Sequence, residues 1–393
     1  MFEDLRMPPP DKILSLMAIF REDPRPEKID LGVGVYRDAD GRTPIPRAVK
    51  EAERRLLASE TTKTYVGPAG DPVFCDLVAP LVFGPELPRE RIRGVQTAGG
   101  AGALSVLAGL VAAARPGVTV HVPDPTWINH VAILTDNRLR LAPYRYLGEG
   151  PERVDFEGML AHLAGAAPGD VVLLHGCCHN PSGADLDGDQ WRRLAALLAE
   201  RRLLPFVDLA YLGFGDGLED DAFAVRLLAR TVPELLVAVS CSKNFGLYRE
   251  RTGAAFALAA DAGTAAVAQG HMVVRNRILY SMPPDHGAAV VRTVLQDPVL
   301  AADWRAELEA MRVTIEALRQ ALAAAFARLT NGSDYAFLSR DKGMFSLIGV
   351  TAEKARRLRD EHAIYVVEDG RINVAGLRLD QVERFAAAVL AVR

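Results

Sequence analysis

The chain has no run of eighteen uninterrupted apolar residues, no long block of like charge and no paired cysteine spacing. The first absence excludes a membrane-spanning helix. The second, with a net charge of −4, argues against nucleic acid or an anionic membrane as partner. The four cysteines (Cys75, Cys177, Cys178 and Cys241) fit neither a zinc site nor a secreted disulfide framework, so no metal is expected. Cys177 and Cys178 follow an apolar run and read as small buried hydrophobes. With Glu3 and Asp4 near the start and no apolar signal core, the expected compartment is the cytoplasm. Lysine is scarce as well: seven residues against thirty-nine arginines. Between Lys63 and Lys342 only Lys243 interrupts that bias, in Ser240-Cys241-Ser242-Lys243-Asn244-Phe245-Gly246. Arginine serves for charge, but only an ammonium can shed its proton on burial and act as a nucleophile.

At 393 residues, with 49% hydrophobic and 24% charged residues, the chain is a globular protein of one large domain with an added lobe, or two domains. Val118–Val122, Val171–Leu174, Leu203–Val207 and Leu235–Val239 read as strands. Trp191–Arg202 and Asp221–Arg230 have helical periodicity between them. This alternation predicts an α/β domain around a mainly parallel sheet. Gly99-Gly100-Ala101-Gly102 precedes a helix-like run, Ala103–Ala114. A long amphipathic helix, Ala301–Leu329, opens a smaller α+β lobe. That lobe holds Met344–Ile348, a helix from Ala352 to His362, Ile364–Val367, Ile372–Val374 and a last helix from Leu379. The Pro- and Gly-rich first forty residues are expected to cross to it.

The strand ends carry the chemistry. Asp124, Trp127 and His130 follow the first strand named, and His175, His179 and Asn180-Pro181-Ser182-Gly183 the second. Asp208 and Tyr211 follow the third, and Ser240, Ser242 and Lys243 the fourth. Ligands of open α/β sheets bind beyond the carboxyl ends of the strands, so these sets converge on one crevice. Each residue has an ordinary structural alternative: Asp208 a helix cap, Tyr211 a rim aromatic, His175 and His179 core histidines, Asn180–Gly183 a turn. Together they fit pyridoxal 5′-phosphate. Its aldehyde needs a lysine, its ring nitrogen an acid, and its phosphate a helix N-terminus.

In these motifs the chain resembles the class I aspartate/aromatic aminotransferases of pyridoxal-phosphate fold type I, closest to the bacterial aromatic enzymes. The matches include Leu31–Arg37, Thr61–Tyr65, Pro125–His130, His175–Gly183, Asp208–Tyr211, Ser242–Arg251 and Gly370–Leu377, and run from about Pro10 to the C-terminus. The resemblance implies a large cofactor domain (44–310) with a mostly parallel seven-stranded sheet. It implies a small domain built from 1–43 and 311–393. Lys243 would hold the cofactor covalently and move the substrate proton. Asp208 would pair with the ring nitrogen, supported by His130, and Tyr211 and Asn180 would bond the phenolic oxygen. Trp127 would stack on the ring. Gly100, Ala101, Ser240, Ser242 and Arg251 would hold the phosphate, and Tyr65 would reach that of a second subunit in a homodimer. Gly34, Trp127, Asn180, Arg277 and Arg371 would bind substrate, Arg371 taking the α-carboxylate as a bidentate fork.

Arg277 resembles the residue that binds a distal carboxylate and swings away for an aromatic ring. Leu279 and Met282 are apolar where aspartate-specific relatives tend to carry asparagine. The expected activity is transfer of an amino group from aromatic or acidic amino acids to 2-oxoglutarate, with an aspartate-specific enzyme as alternative. Ala101 departs from the family's usual Thr or Ser, which predicts weaker cofactor retention. A dinucleotide reading of Gly100-Ala101-Gly102 lacks its third glycine and leaves Lys243, Asp208 and Arg371 without roles. A ligand-sensing regulator would carry a basic DNA-binding segment, which does not precede the fold. A decarboxylase or lyase shares the cofactor chemistry, but the arginine pair favours transamination.

Overall fold

The structure is a computed structural model that describes residues 1–7, 12–86, 89–148 and 153–392. The described chain divides into two compact units. The larger comprises Pro44–Asn180 and Ala184–Val313; the smaller comprises Met1–Thr43, Pro181–Gly183 and Thr314–Arg393.

The first strand, β1 (Ile29–Asp30), lies in the smaller unit. The next seven form the sheet of the larger unit: β2 (Ile92–Ala98), β3 (Thr119–Asp124), β4 (Arg140–Arg145), β5 (Val171–His175), β6 (Leu204–Leu209), β7 (Leu235–Ser240) and β8 (Thr252–Leu258). Their order is β2-β8-β7-β6-β5-β3-β4. β3 to β7 pair in parallel. β8 pairs antiparallel with both β7 and β2, so it alone runs against the others. The sheet is the mainly parallel α/β sheet expected.

The central strands are buried along their whole length because helices cover both faces. A core of Val, Leu and Ala side chains packs the helix Gly99–Ala114 onto Val120, Leu173, Phe206, Leu236 and Ala255. The helix Gly188–Arg201 starts at a capping box, where Asp187 accepts from Gln190 N–H and the Gln190 side chain returns to Asp187 N–H. Two sequence expectations need correction. The glycine-rich stretch is not a turn before a helix but the first turn of the helix itself. The single helix expected over Asp221–Arg230 is two, Leu218–Asp221 and Phe223–Thr231.

In the smaller unit, β9 (Phe345–Leu347) pairs with β11 (Arg371–Asn373), and β10 (Ile364–Tyr365) pairs in parallel with β1. Its core joins Ile29 and Leu31 to Leu318, Leu322 and Phe326 of the long helix Pro298–Thr330. The helices Ala352–His362 and Val382–Ala391 close it through Leu358 and Phe385. Among the described residues no helix is long and apolar enough to cross a membrane.

Candidate active site

Sheet register brings the first residues together. His175 ends β5 directly opposite Asp208 of β6, which in turn lies opposite Ala238 of β7. Because β8 alone is reversed, Ala98 at the end of β2 and Ser240 at the end of β7 flank its start at Thr252 and Gly253. The N-terminus of the helix Gly99–Ala114 and the Ser240–Lys243 segment therefore share one edge of the sheet.

Asp208 is buried, and its Oδ2 lies 2.9 Å from His130 Nε2. Burial raises its pKa, but the hydrogen bond and the charges of His130 and Lys243 outweigh that and leave it below the ordinary carboxylate value. An ionised Asp208 accepts from Nε2–H, so His130 carries that proton. The other nitrogen of His130, Nδ1, is 2.8 Å from Thr126 Oγ1, which is 2.9 Å from His175 Nε2. Burial, with His130 adding to it, drags the His175 pKa down to about 3, so this ring stays neutral. A line of side chains thus runs from Asp208 through His130 and Thr126 to His175. Thr126 was not singled out from the sequence, although it sits inside the Pro125–His130 motif.

Lys243 is half-buried beside this acid, its Nζ 4.6 Å from the centroid of the Tyr211 ring. Burial pulls its amine down to about 8 from 10.5; Asp208 opposes that shift and Arg251 adds to it. A surface lysine near neutral pH is an ammonium; this one is poised to become a free amine. Asn180 Nδ2 donates to the Tyr211 hydroxyl at 3.4 Å. Trp127 stands edge-on to His130, with centroids 5.3 Å apart.

The edge also holds an anion cradle. Arg251 Nη1 donates to Ser242 Oγ at 3.3 Å, and Ser242 N–H donates to Ser240 Oγ at 3.2 Å. Gly99 has φ +73, and a Cβ there would lie 2.6 Å from Arg251 Nη2, so a side chain would fill the cradle. A Cβ on Gly100 would lie 3.0 Å from the Ser240 Cβ. Ala101 follows in the same first turn, with no hydroxyl to offer. Unpaired N–H groups, the helix dipole and a guanidinium suit a phosphate.

Two expected residues of the larger unit stand apart from this cluster. Tyr65 is 88% exposed, and among the described residues no hydrogen bond joins it to the cradle. Arg277 is exposed in the last turn of the helix Ala262–Tyr280 and forms no ion pair among the described residues. Arg371 and Gly34 belong to the smaller unit, where Arg371 Nη2 donates to Gly32 O at 2.9 Å. One buried group, Cys177, Cys178 and Asp221, brings potential metal-ligating atoms within 4.8 Å of each other. The Asp221 carboxylate there already accepts from the N–H groups of Gly213, Gly215 and Asp216.

Residues 26–389 match the model of aminotransferase class I and II. The chain belongs to that family. It is 51% identical to an aromatic-amino-acid aminotransferase of Paracoccus denitrificans, over all of both chains. It is 43% identical to an aspartate aminotransferase of Salmonella typhi, again over all of both. A solved aromatic-amino-acid aminotransferase of Burkholderia pseudomallei, covalently bound to pyridoxal phosphate, is 38% identical, with a TM-score of 0.96 over 100% of this chain and 99% of that one.

Proposed function

We propose that this aminotransferase uses pyridoxal 5′-phosphate to move amino groups from aromatic and acidic amino acids to 2-oxoglutarate. The observation that carries the reading is a half-buried lysine with a lowered pKa, set among a buried aspartate, a phenol and an anion cradle. The residues fit the cofactor's three demands: an amine for the aldehyde, an acid for the ring nitrogen and a helix N-terminus for the phosphate. Bound there, the cofactor would supply an aldehyde for capturing the amine and a protonated ring that withdraws electrons from the substrate Cα.

The remaining work falls to the chain. Asp208, kept ionised by His130, holds the proton on the ring nitrogen. Tyr211 and Asn180 hydrogen-bond the phenolic oxygen, and Trp127 covers the ring face. Arg251, Ser240, Ser242 and the N–H groups at Gly100 and Ala101 hold the phosphate. Lys243 Nζ, once released as a neutral amine, takes the proton from the substrate Cα. Arg371 grips the α-carboxylate with its planar fork, near Gly34 in the chain's smaller domain (1–43 and 311–393), while 44–310 carries the cofactor.

Arg277 meets the distal carboxylate of acidic substrates and turns aside for an aromatic ring, which Leu279 and Met282 favour. Both Tyr65 and Arg277 are exposed in the single chain, and Val267, Val274, Ile278 and Leu279 are exposed apolar residues of the same helix as Arg277. A homodimer in which each subunit lends Tyr65 and Arg277 to the other accounts for this. The cytoplasm is the compartment that suits four cysteines that form no disulfide.

A donor panel tests the reading. Aspartate, glutamate, tyrosine, phenylalanine and tryptophan are each paired with a 2-oxo acid. Turnover of both phenylalanine and aspartate is expected. Phenylalanine turnover several orders of magnitude below aspartate would make the enzyme aspartate-specific, and no transamination at all would overturn the proposal.

A further inference from the structure

We propose that Arg319 is a positioning residue for carboxylate binding: it fixes the segment around Phe345 so that the Phe345 ring holds the Arg371 guanidinium. This rests on the assignment of Arg371 to the substrate α-carboxylate. Arg319 lies on the helix Pro298–Thr330 and is only 3% exposed. Its Nε and Nη2 both donate to Gly343 O, at 3.0 and 2.8 Å. Nη2 also donates to Phe345 O at 2.6 Å and Lys342 O at 3.1 Å. Nη1 donates to Leu338 O at 3.3 Å and Ser346 Oγ at 2.8 Å. The Ser346 hydroxyl in turn donates a hydrogen bond to Asp341 Oδ2 at 2.7 Å, which brings a countercharge within reach of the buried cation.

A buried guanidinium is costly to keep, and an apolar side chain of similar volume packs at least as well. What the fork supplies is geometry. One rigid group with five N–H donors ties four carbonyls and a hydroxyl of an irregular segment into a single conformation. The ring that this segment presents is the one under Arg371, whose Cζ lies 4.5 Å from the Phe345 centroid. The opposite support is Gly32 O, which accepts from Arg371 Nη2, and Gly32 N–H in turn donates to Asp30 Oδ1 at 3.0 Å.

Two glycines let the backbone close on Phe345. A Cβ on Gly34 would lie 2.6 Å from the ring's Cζ. Gly183 has φ +75, accepts from Lys342 N–H at 2.7 Å, and has room for no Cβ, which would lie 2.3 Å from Phe345 O. The carbonyl that Arg319 holds most closely is therefore the one that Gly183 packs against.

The test is Arg319→Lys, which keeps the charge and loses the fork. A misplacement of about 1 Å can cost on the order of 100-fold, so KM for aspartate and for phenylalanine should rise together by roughly 10- to 100-fold. Because the α-carboxylate is common to both, kcat and the ratio of the two kcat/KM values should stay at the wild-type level. Calorimetric binding of 3-phenylpropionate, which involves no turnover, should weaken by the same factor, and the absorbance of the bound cofactor should not change. Phe345→Leu removes the ring without touching the fork and should give the same pattern, whether or not Arg319→Lys folds. Wild-type KM in either folded variant, a changed substrate ratio, or loss of cofactor overturns the proposal. Absence of transamination in the wild-type protein would instead overturn the functional reading. In that case unchanged 3-phenylpropionate binding in Phe345→Leu would still overturn the positioning role.

Discussion

Two places in the larger unit contrast sharply: the cluster around Lys243 and the end of the helix Ala262–Tyr280. At the first, Asp208 and His130 are buried and hydrogen-bonded to each other, and Lys243 is half-buried within reach of the Asp208 charge. At the second, Arg277, Ile278 and Leu279 are exposed. The difference follows the chemistry assigned to each. Shifting the pKa of an amine requires burial, and a buried charge needs its partners in place at the moment of folding. Choosing between a carboxylate and an aromatic ring requires a cation that can move, and an exposed arginine is free to do so.

Removing the Lys243 amine should have the largest effect. Lys243→Ala should lower kcat by about 10⁴-fold or more, with every donor alike, as measured in steady-state assays. An effect confined to one donor would mean that Lys243 belongs to specificity and not to chemistry. Next in size, Asp208→Asn should reduce kcat about 100-fold or more for aromatic and acidic donors equally. The same variant sharpens the electrostatic argument. Asp208 raises the Lys243 pKa against the pull of burial, so its removal should lower the pKa further. In cofactor-free protein, capture of pyridoxal phosphate by the neutral amine should titrate with a midpoint near 8, rising with pH, and Asp208→Asn should move that midpoint down.

Arg277→Ala addresses the exposed region. It should cut kcat/KM for aspartate by about 2–5 kcal/mol in transition-state binding and leave phenylalanine much less affected. Equal losses would place Arg277 in the common machinery. The smallest effect is expected at Ala101. Ala101→Thr should tighten pyridoxal phosphate by about 1.5–3 kcal/mol, less where water already substitutes, as read by equilibrium dialysis. An unchanged dissociation constant would remove the account of weak cofactor retention.

The buried cluster was legible in the sequence because its parts follow strands that announce themselves. Val171–His175 and Leu235–Ser240 are continuous β-branched and leucine runs, and the residues after them had to meet at one end of a parallel sheet. Other strands gave no such signal. β8, Thr-Gly-Ala-Ala-Phe-Ala-Leu, is poor in β-branched residues and is held as a strand by two neighbours. β2 and β4 are edge strands, one interrupted by Gly94 and the other by Pro143, and neither alternates cleanly. Thr126 and Arg319 were invisible for a different reason. A threonine between two histidine nitrogens and an arginine gathering carbonyls nineteen to twenty-six residues away are defined by tertiary contacts, with no local pattern to mark them.

The central claim is that Lys243 is the amine that holds the cofactor. Borohydride reduction of the pyridoxal-phosphate-loaded protein, followed by peptide mass spectrometry, tests it most directly. A phosphopyridoxyl adduct is expected on the peptide containing Lys243 and on none of the other six lysines. An adduct elsewhere, or a reduced protein that carries none, would contradict it.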